Sequence, residues 1–104
     1  MITFQYFDGC PNAQATLENL LSLREELGIP ESEIELIEVP DPSFAEQFRF
    51  QGSPTILVDG RDIATGEKPS GFSYACRVYI FGETQTGVIP RDFIRRKLLE
   101  YWDG

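Results

Sequence analysis

The apolar positions in the first forty residues predict a strand, a helix and a second strand. Residues 2–7 alternate and are rich in β-branched and aromatic side chains, which is typical of a strand. Five leucines follow at helical spacing between residues 17 and 27. Pro11 suits the first turn of this helix, because its missing N–H would have no partner there, and Gly28 closes it. Residues 34–39 predict a strand whose apolar run is typical of burial on both faces.

The remaining pattern predicts two more strands and two more helices. Asp41 before a proline predicts the start of a short helix. Pro54 marks the entrance of a third strand, because a proline cannot donate to a sheet ladder. Residues 61–73 show no periodicity and are expected to form a loop. Residues 74–81 predict the fourth strand, and Pro90 starts the last helix.

The predicted element order is therefore β-α-β-α-β-β-α. A helix joins the first two strands, so they are expected to be parallel, and the last two form an antiparallel pair. We expect an α/β fold with a four-stranded mixed sheet flanked by helices. With 104 residues, 41% of them hydrophobic, and with no repeat or linker, the chain is predicted to be a single domain over residues 1–104.

Charge and hydropathy exclude several classes of partner. The net charge is -8 and there is no histidine, which argues against nucleic acid, because its binding needs clustered cations. No apolar run approaches the ~18 residues of a membrane span, and Met1 leads directly into a strand rather than a signal peptide. We therefore expect a cytoplasmic protein without a membrane partner, whose two cysteines are kept reduced. A monomer is the default expectation, since the sequence does not indicate an oligomeric state.

Cys10 is the first candidate for chemistry, because it falls at the N-cap of the first predicted helix. The N–H groups and dipole at a helix N-terminus can lower a thiol pKa from about 8.5 to roughly 3.5–7.5. The nearby carboxylate of Asp8 acts in the opposite direction. The Ser53–Pro54 bond is a candidate cis peptide, which would turn its preceding carbonyl and amide toward Cys10. Pro11, Ser53 and Pro54 are accordingly predicted to contact a substrate.

Cys76 is the second candidate, and its sequence environment allows two interpretations. In an apolar strand it is either a small buried hydrophobic residue or a second functional thiol. Arg77 is also predicted to contact a substrate. It would stabilise a thiolate if it turned to the same site, although neighbours on a strand normally point to opposite faces. Two cysteines without histidine do not make a zinc site, and no phosphate-binding glycine loop is present. Neither a metal site nor another cofactor is predicted.

Two motifs resemble the thioredoxin-like superfamily. Residues 52–60, Gly-Ser-Pro-Thr-Ile-Leu-Val-Asp-Gly, resemble its cis-proline strand, and residues 9–13, Gly-Cys-Pro-Asn-Ala, resemble the active-site loop of glutaredoxins. The resemblance implies a thioredoxin-like fold and thiol–disulfide oxidoreductase activity, with Cys10 as nucleophile and Pro54 shaping the substrate groove. Cys76 is the candidate for a distant resolving thiol. The family's second cysteine position is Ala13 here. A monothiol mechanism, through a mixed disulfide with a protein or a low-molecular-weight thiol such as glutathione, is therefore expected.

A third motif leaves two alternatives open. Residues 73–81, Ser-Tyr-Ala-Cys-Arg-Val-Tyr-Ile-Phe, resemble the second-cysteine segment of alkylmercury lyases, which hold mercury with soft sulfur ligands. This resemblance implies that Cys10 and Cys76 are paired thiols, whereas the acidic residue of those enzymes falls on Ala13. The chain is similar overall to short bacterial thioredoxin- and glutaredoxin-like proteins. A soft-metal binding or lyase-like protein, and a non-catalytic interaction module, are the alternatives to an oxidoreductase.

Overall fold

Residues 1–102 are described by a computed structural model, and three helices and eight strands lie within this range. The helices are α1 (Pro11–Leu27), α2 (Pro42–Phe48) and α3 (Arg91–Tyr101), and a short 3-10 helix covers Glu31–Glu33. The strands are β1 (Ile2–Tyr6), β2 (Ile34–Glu38), β3 (Gln51–Ser53), β4 (Thr55–Val58), β5 (Arg61–Asp62), β6 (Ser73–Cys76), β7 (Tyr79–Phe81) and β8 (Thr84–Thr86).

Proline, glycine and aspartate set the ends of the first two helices, as the sequence predicts. Pro11 is the first residue of α1, and Gly28 ends it in the left-handed region with φ 67°. Asp41 caps α2, where its carboxylate accepts a hydrogen bond of 2.8 Å from the backbone N–H of Phe44. Among residues 1–102, no helix combines the length and apolar character needed to cross a membrane.

The main sheet has four strands in the order β2-β1-β4-β5. Strands β1 and β2 are parallel, with Ile2 opposite Ile34, because α1 carries the chain back to the start of the sheet. Strands β1 and β4 are antiparallel, with Ile2 opposite Val58, and β4 pairs antiparallel with β5. The prediction of a mixed four-stranded sheet is therefore confirmed.

Two apolar clusters attach the helices to this sheet. The larger cluster joins β1 and β4 to α1 and α3 through fully buried side chains, among them Phe4, Leu20, Ile56, Ile94 and Leu98. The smaller cluster contains Ala45 of α2 with Val39 and Phe50, and Ile37 of β2 packs on it. Ile34 packs on the larger cluster, and residues three apart on a strand face opposite sides. Helix α2 therefore covers the face that α1 and α3 leave free.

The fourth strand of the sheet is not the one that the sequence predicts. Strand β5 lies at the start of the region expected to be a loop, because Asp59 and Gly60 both have positive φ and reverse the chain in two residues. Residues 74–81 instead belong to two strands. Strand β6 pairs in parallel with β3 and β7 pairs antiparallel with β8, each as a separate two-stranded sheet. A strand of two residues has no periodicity to detect, which explains the error.

Strand β2 is more exposed than predicted. It is the edge strand of the sheet, with only β1 beside it. Leu36 is 50% exposed, and no residue of the strand is fully buried. The apolar run therefore does not reflect burial on both faces.

Gly52 is the glycine on which the attachment of β6 to β3 depends. Its φ is 108°, and a Cβ there would lie 3.1 Å from the carbonyl oxygen of Ala75 and 3.1 Å from Cβ of Arg77. We expect Gly52→Ala to lower the free energy of unfolding by about 1–3 kcal/mol, since it adds backbone strain and a contact that the β6 backbone cannot avoid. Urea denaturation measures this change.

Gly71→Ala is the matched control, because Gly71 also has a positive φ, 67°, but has open space around its Cβ position. We expect a smaller loss of stability in this variant. Equal losses in the two variants would show that the close approach of β6 contributes nothing.

Candidate functional site

Cys10 lies between the end of β1 and the start of α1. Gly9, with φ 87°, turns the chain after the strand, and Cys10 occupies the N-cap position immediately before Pro11. Its own side chain makes no capping hydrogen bond, so Sγ is free to face inward. Cys10 is only 7% exposed, whereas Pro11 is exposed at the start of the helix. The sequence correctly predicts this N-terminal position.

The Ser53–Pro54 peptide faces Cys10 and is cis, as predicted. Cys10 Sγ lies 3.7 Å from the carbonyl oxygen of Ser53. The backbone N–H of Phe7 donates a hydrogen bond of 3.3 Å to Ser53 Oγ, which ties the end of β1 to the same segment. Ser53 and Pro54 are both buried, so neither presents a surface to solvent. Their predicted contact with a substrate stays a prediction.

Cys76 also reaches Cys10, which the sequence left undecided. The parallel pairing of β6 with β3 places Cys76 opposite Ser53, after a register irregularity. Cys76 Sγ then lies 3.8 Å from Cys10 Sγ, although the two residues are 66 positions apart. Cys76 is exposed, in contrast to Cys10. Two free thiols of different exposure therefore form one site.

The two thiols differ in acidity as well as in exposure. Burial alone raises the pKa of Cys10, but the nearby Ser53 side chain, the backbone N–H groups at the start of α1 and the hydrogen bond from Cys76 outweigh it. The pKa of Cys10 therefore lies below its usual value. The Ser53 carbonyl opposes this by favouring the protonated thiol, but at 3.7 Å that contact is weak.

The pKa of Cys76 shifts in the other direction. Partial desolvation raises it, and the hydrogen bond to Cys10 and the repulsion between two sulfur charges raise it further. Cys76 is therefore the S–H donor of the pair, and Cys10 ionises first as the pH rises. A thiolate is the nucleophilic form of cysteine, so Cys10 is the thiol that reaches this form more readily.

Arg77 pairs with the buried carboxylate of Asp62 rather than with the thiols. Its Nη1 donates to Asp62 Oδ2 at 2.7 Å and to Thr55 Oγ1 at 3.0 Å. The Arg77 and Asp62 side chains are 14% and 2% exposed. The backbone N–H of Arg77 donates to the Ser53 carbonyl at 2.8 Å. Its predicted contact with a substrate stays a prediction, but its position holds β6 against the Ser53–Pro54 segment.

Tyr79 contacts both Pro54 and Arg77 and so adds to the interactions around the thiol pair. Its hydroxyl donates to the carbonyl oxygen of Pro54, and the Arg77 guanidinium lies over its ring at 4.6 Å from the centroid. Burial raises the pKa of Tyr79, so its hydroxyl remains a donor. Neither Tyr79 nor Asp62 was predicted from the sequence. An arginine within an apolar strand was the available indication, because a buried cation requires a partner.

A metal centre and a surface pocket are the other kinds of site to consider in the described chain. Among residues 1–102, no group of three or more His, Cys, Asp or Glu side chains is placed to hold a metal ion. A surface pocket of about 520 Å³ lies at the far end of β4, where Val58, Lys68 and Tyr101 contribute to its lining. Neither cysteine lines this pocket, so it is separate from the thiol pair.

The different acidity of the thiols predicts two separate ionisations. As the pH rises, we expect Cys10 to lose its proton below the ordinary thiol value of ~8.5 and Cys76 to lose its proton above it. The thiolate absorbance at 240 nm of the folded protein measures both steps. In Cys76→Ala the Cys10 step should move to higher pH, because the hydrogen bond from Cys76 is lost. A single ionisation of both thiols at the ordinary value would contradict this interpretation.

The buried ion pair predicts a large effect on stability. Asp62→Ala leaves the Arg77 cation without its partner, so we expect the free energy of unfolding to fall by about 3 kcal/mol. Glu26→Ala is the control, because Glu26 pairs with Arg91 and Arg95 at the surface, where ion pairs contribute little. Urea denaturation compares the two variants. A loss for Asp62→Ala no larger than that for Glu26→Ala would show that the buried pair does not hold the site.

Comparison of the chain with protein-family models, with curated proteins and with solved structures found no match. The chemistry of the site is therefore inferred from the chain's own geometry. That geometry consists of a cysteine at a helix N-terminus, a cis-proline segment and a second cysteine whose sulfur lies 3.8 Å from the first.

Proposed function

We propose that this protein is a thiol–disulfide oxidoreductase with a thioredoxin-like fold, in which Cys10 and Cys76 form the redox-active pair. The distance of 3.8 Å between the two sulfur atoms carries the proposal. A disulfide has an S–S bond of ~2.05 Å, so a small approach of the two side chains is enough to form one. The pairing of β6 with β3 and the hydrogen bond from the Arg77 N–H to the Ser53 carbonyl hold Cys76 beside Cys10.

The order of the elements along the chain and the position of the cis peptide support the fold assignment. A parallel β1-α1-β2 unit precedes the antiparallel strands β4 and β5 and the final helix α3, and the cis peptide before Pro54 faces the cysteine at the start of α1. This is the arrangement that the resemblance to thioredoxin-like proteins implies. The additional strands β6, β7 and β8 lie between β5 and α3, and β6 supplies the second thiol.

The proximity of Cys76 favours a dithiol mechanism over the monothiol mechanism that Ala13 suggests. In such a reaction an external disulfide is reduced to two thiols. The two cysteines lose two electrons and two protons and become joined by a disulfide. The pKa of Cys10 lies below its usual value and that of Cys76 above it, so Cys10 gives up its proton first. The reverse reaction oxidises a pair of substrate thiols.

The same distance supports a second candidate, the binding of a soft metal ion such as mercury. Soft ions prefer thiolate ligands, and two sulfur atoms 3.8 Å apart can both bind one ion. The described residues provide no third ligand from a further His, Cys, Asp or Glu side chain in a cluster. An interaction module without chemistry is the remaining alternative.

Oxidation in a glutathione redox buffer tests the proposal. We expect the protein to lose two hydrogen atoms, a mass decrease of about 2 Da, as the Cys10–Cys76 disulfide forms. Intact-mass spectrometry measures this loss. Cys76→Ser should not show it, and the chain has no other cysteine that could substitute.

The same samples separate the alternatives. If the protein stays a dithiol in oxidising buffer but retains one mercuric ion per chain, and Cys76→Ser loses that ion, metal binding becomes the better account. Absence of both disulfide and bound ion would leave the interaction module.

A further inference from the structure

The two thiols are not equally accessible to a substrate. Cys10 is 7% exposed, and its sulfur faces the Ser53 carbonyl at 3.7 Å and the Cys76 sulfur at 3.8 Å. Cys76 is exposed on β6, and its neighbour Val78 is 58% exposed. Thiol–disulfide exchange requires the attacking and leaving sulfur atoms to lie on opposite sides of the central sulfur. A substrate therefore has room to approach Cys76 but not Cys10.

We propose that Cys76 forms the mixed disulfide with the substrate and that Cys10 is the internal thiolate that resolves it. This inference rests on the proposed oxidoreductase function and reverses the roles that the sequence suggests. Ser53 and Pro54 lie buried beside Cys10 and behind β6, so the substrate meets the outer side of β6 instead.

In the reducing direction, the chemistry balances in two steps. Cys76 passes its proton across the hydrogen bond to the Cys10 thiolate and attacks a substrate disulfide. It forms a bond to one substrate sulfur and releases the other as a thiolate, which takes up the proton from Cys10. The Cys10 thiolate then attacks Cys76 Sγ from 3.8 Å, close to the ~3–3.5 Å of a near-attack geometry. The Cys10–Cys76 disulfide forms, and the second substrate thiolate leaves and is protonated.

In the oxidising direction, the same assignment makes Cys10 the leaving group. A substrate thiolate attacks the exposed Cys76 sulfur of the Cys10–Cys76 disulfide, and the electron pair of the broken bond goes to Cys10. A thiolate of low pKa leaves faster, and the N–H groups at the start of α1 stabilise the charge on Cys10. A second substrate thiolate then attacks the substrate sulfur and displaces Cys76. The exposure of Cys76 and the stabilised charge on Cys10 therefore give the two thiols the same roles in both directions.

Trapping of mixed disulfides with single-cysteine variants tests this inference. Cys10→Ser and Cys76→Ser are each incubated with a disulfide, and the adduct is followed by intact-mass spectrometry at neutral and at alkaline pH. Serine is preferred to alanine or glycine because it keeps the remaining cysteine covered as in the native protein. The alkaline arm removes the effect of unequal protonation.

At alkaline pH, we expect Cys10→Ser to form the adduct at least about tenfold faster than Cys76→Ser, because exchange rates depend on access to the sulfur. Two probes distinguish the source of the disulfide. Oxidised glutathione represents a low-molecular-weight substrate, and a cystine-bridged peptide represents a protein substrate. Faster adduct formation on Cys10, or no adduct on Cys76 with either probe, would overturn the inference.

A second measurement uses the native protein. The Cys10–Cys76 disulfide is exposed to a thiol peptide, quenched with acid, unfolded and alkylated, and the adduct is located by peptide mapping. We expect the adduct on Cys76 and the alkyl group on Cys10. If no Cys10–Cys76 disulfide forms at all, the proposed function fails. If the disulfide forms but the adduct lies on Cys10, only the assignment of roles fails.

Discussion

The ion pair between Arg77 and Asp62 is the interaction that keeps the two thiols together. Strand β6 belongs to a separate two-stranded sheet, and its end is fastened by the Arg77 side chain to β5 and by the Arg77 backbone to Ser53. A charge removed from water must keep its partner, so this end of β6 cannot move far without leaving Asp62 uncompensated. Asp62 also accepts a hydrogen bond from the backbone N–H of Ala64, which fixes the carboxylate. Cys76 precedes Arg77 directly and therefore stays within reach of Cys10.

Because the two adjacent thiols have different surroundings, they differ in acidity and in exposure. Burial opposes a charge on Cys10, yet the N–H groups at the start of α1 and the hydrogen bond from Cys76 stabilise the thiolate more than burial disfavours it. Partial desolvation and the neighbouring Cys10 sulfur raise the pKa of Cys76, although its side chain is exposed. The more acidic sulfur is thus the protected one, and the accessible sulfur donates a hydrogen bond to it. In the proposed oxidoreductase, this separation of acidity from exposure lets Cys76 meet the substrate while Cys10 resolves the intermediate.

The sequence-based predictions were accurate where the structure depends on residues close together in the chain. They failed where it depends on residues far apart. Pro11, Gly28 and Asp41 act within a few residues, so the ends of α1 and the start of α2 were predictable. The Asp59–Gly60 pair correctly indicated a turn, but β5 is too short to show any pattern. Residues 74–81 were wrongly predicted as one strand of the main sheet, because the choice between pairing with β4 and pairing with β3 leaves the same apolar pattern in the sequence.

The sequence by itself determined the position of Cys10 at a helix N-terminus, the parallel β1-α1-β2 unit and the candidate cis bond before Pro54, because local propensities decide each of them. Only the tertiary structure decided that Cys76 lies 3.8 Å from Cys10 and that Arg77 turns to Asp62. Both depend on how the chain returns after residues 61–73, a segment without periodicity. The path of such a segment is set by the pairing of β6 with β3 and by the buried ion pair, which act between residues far apart in sequence.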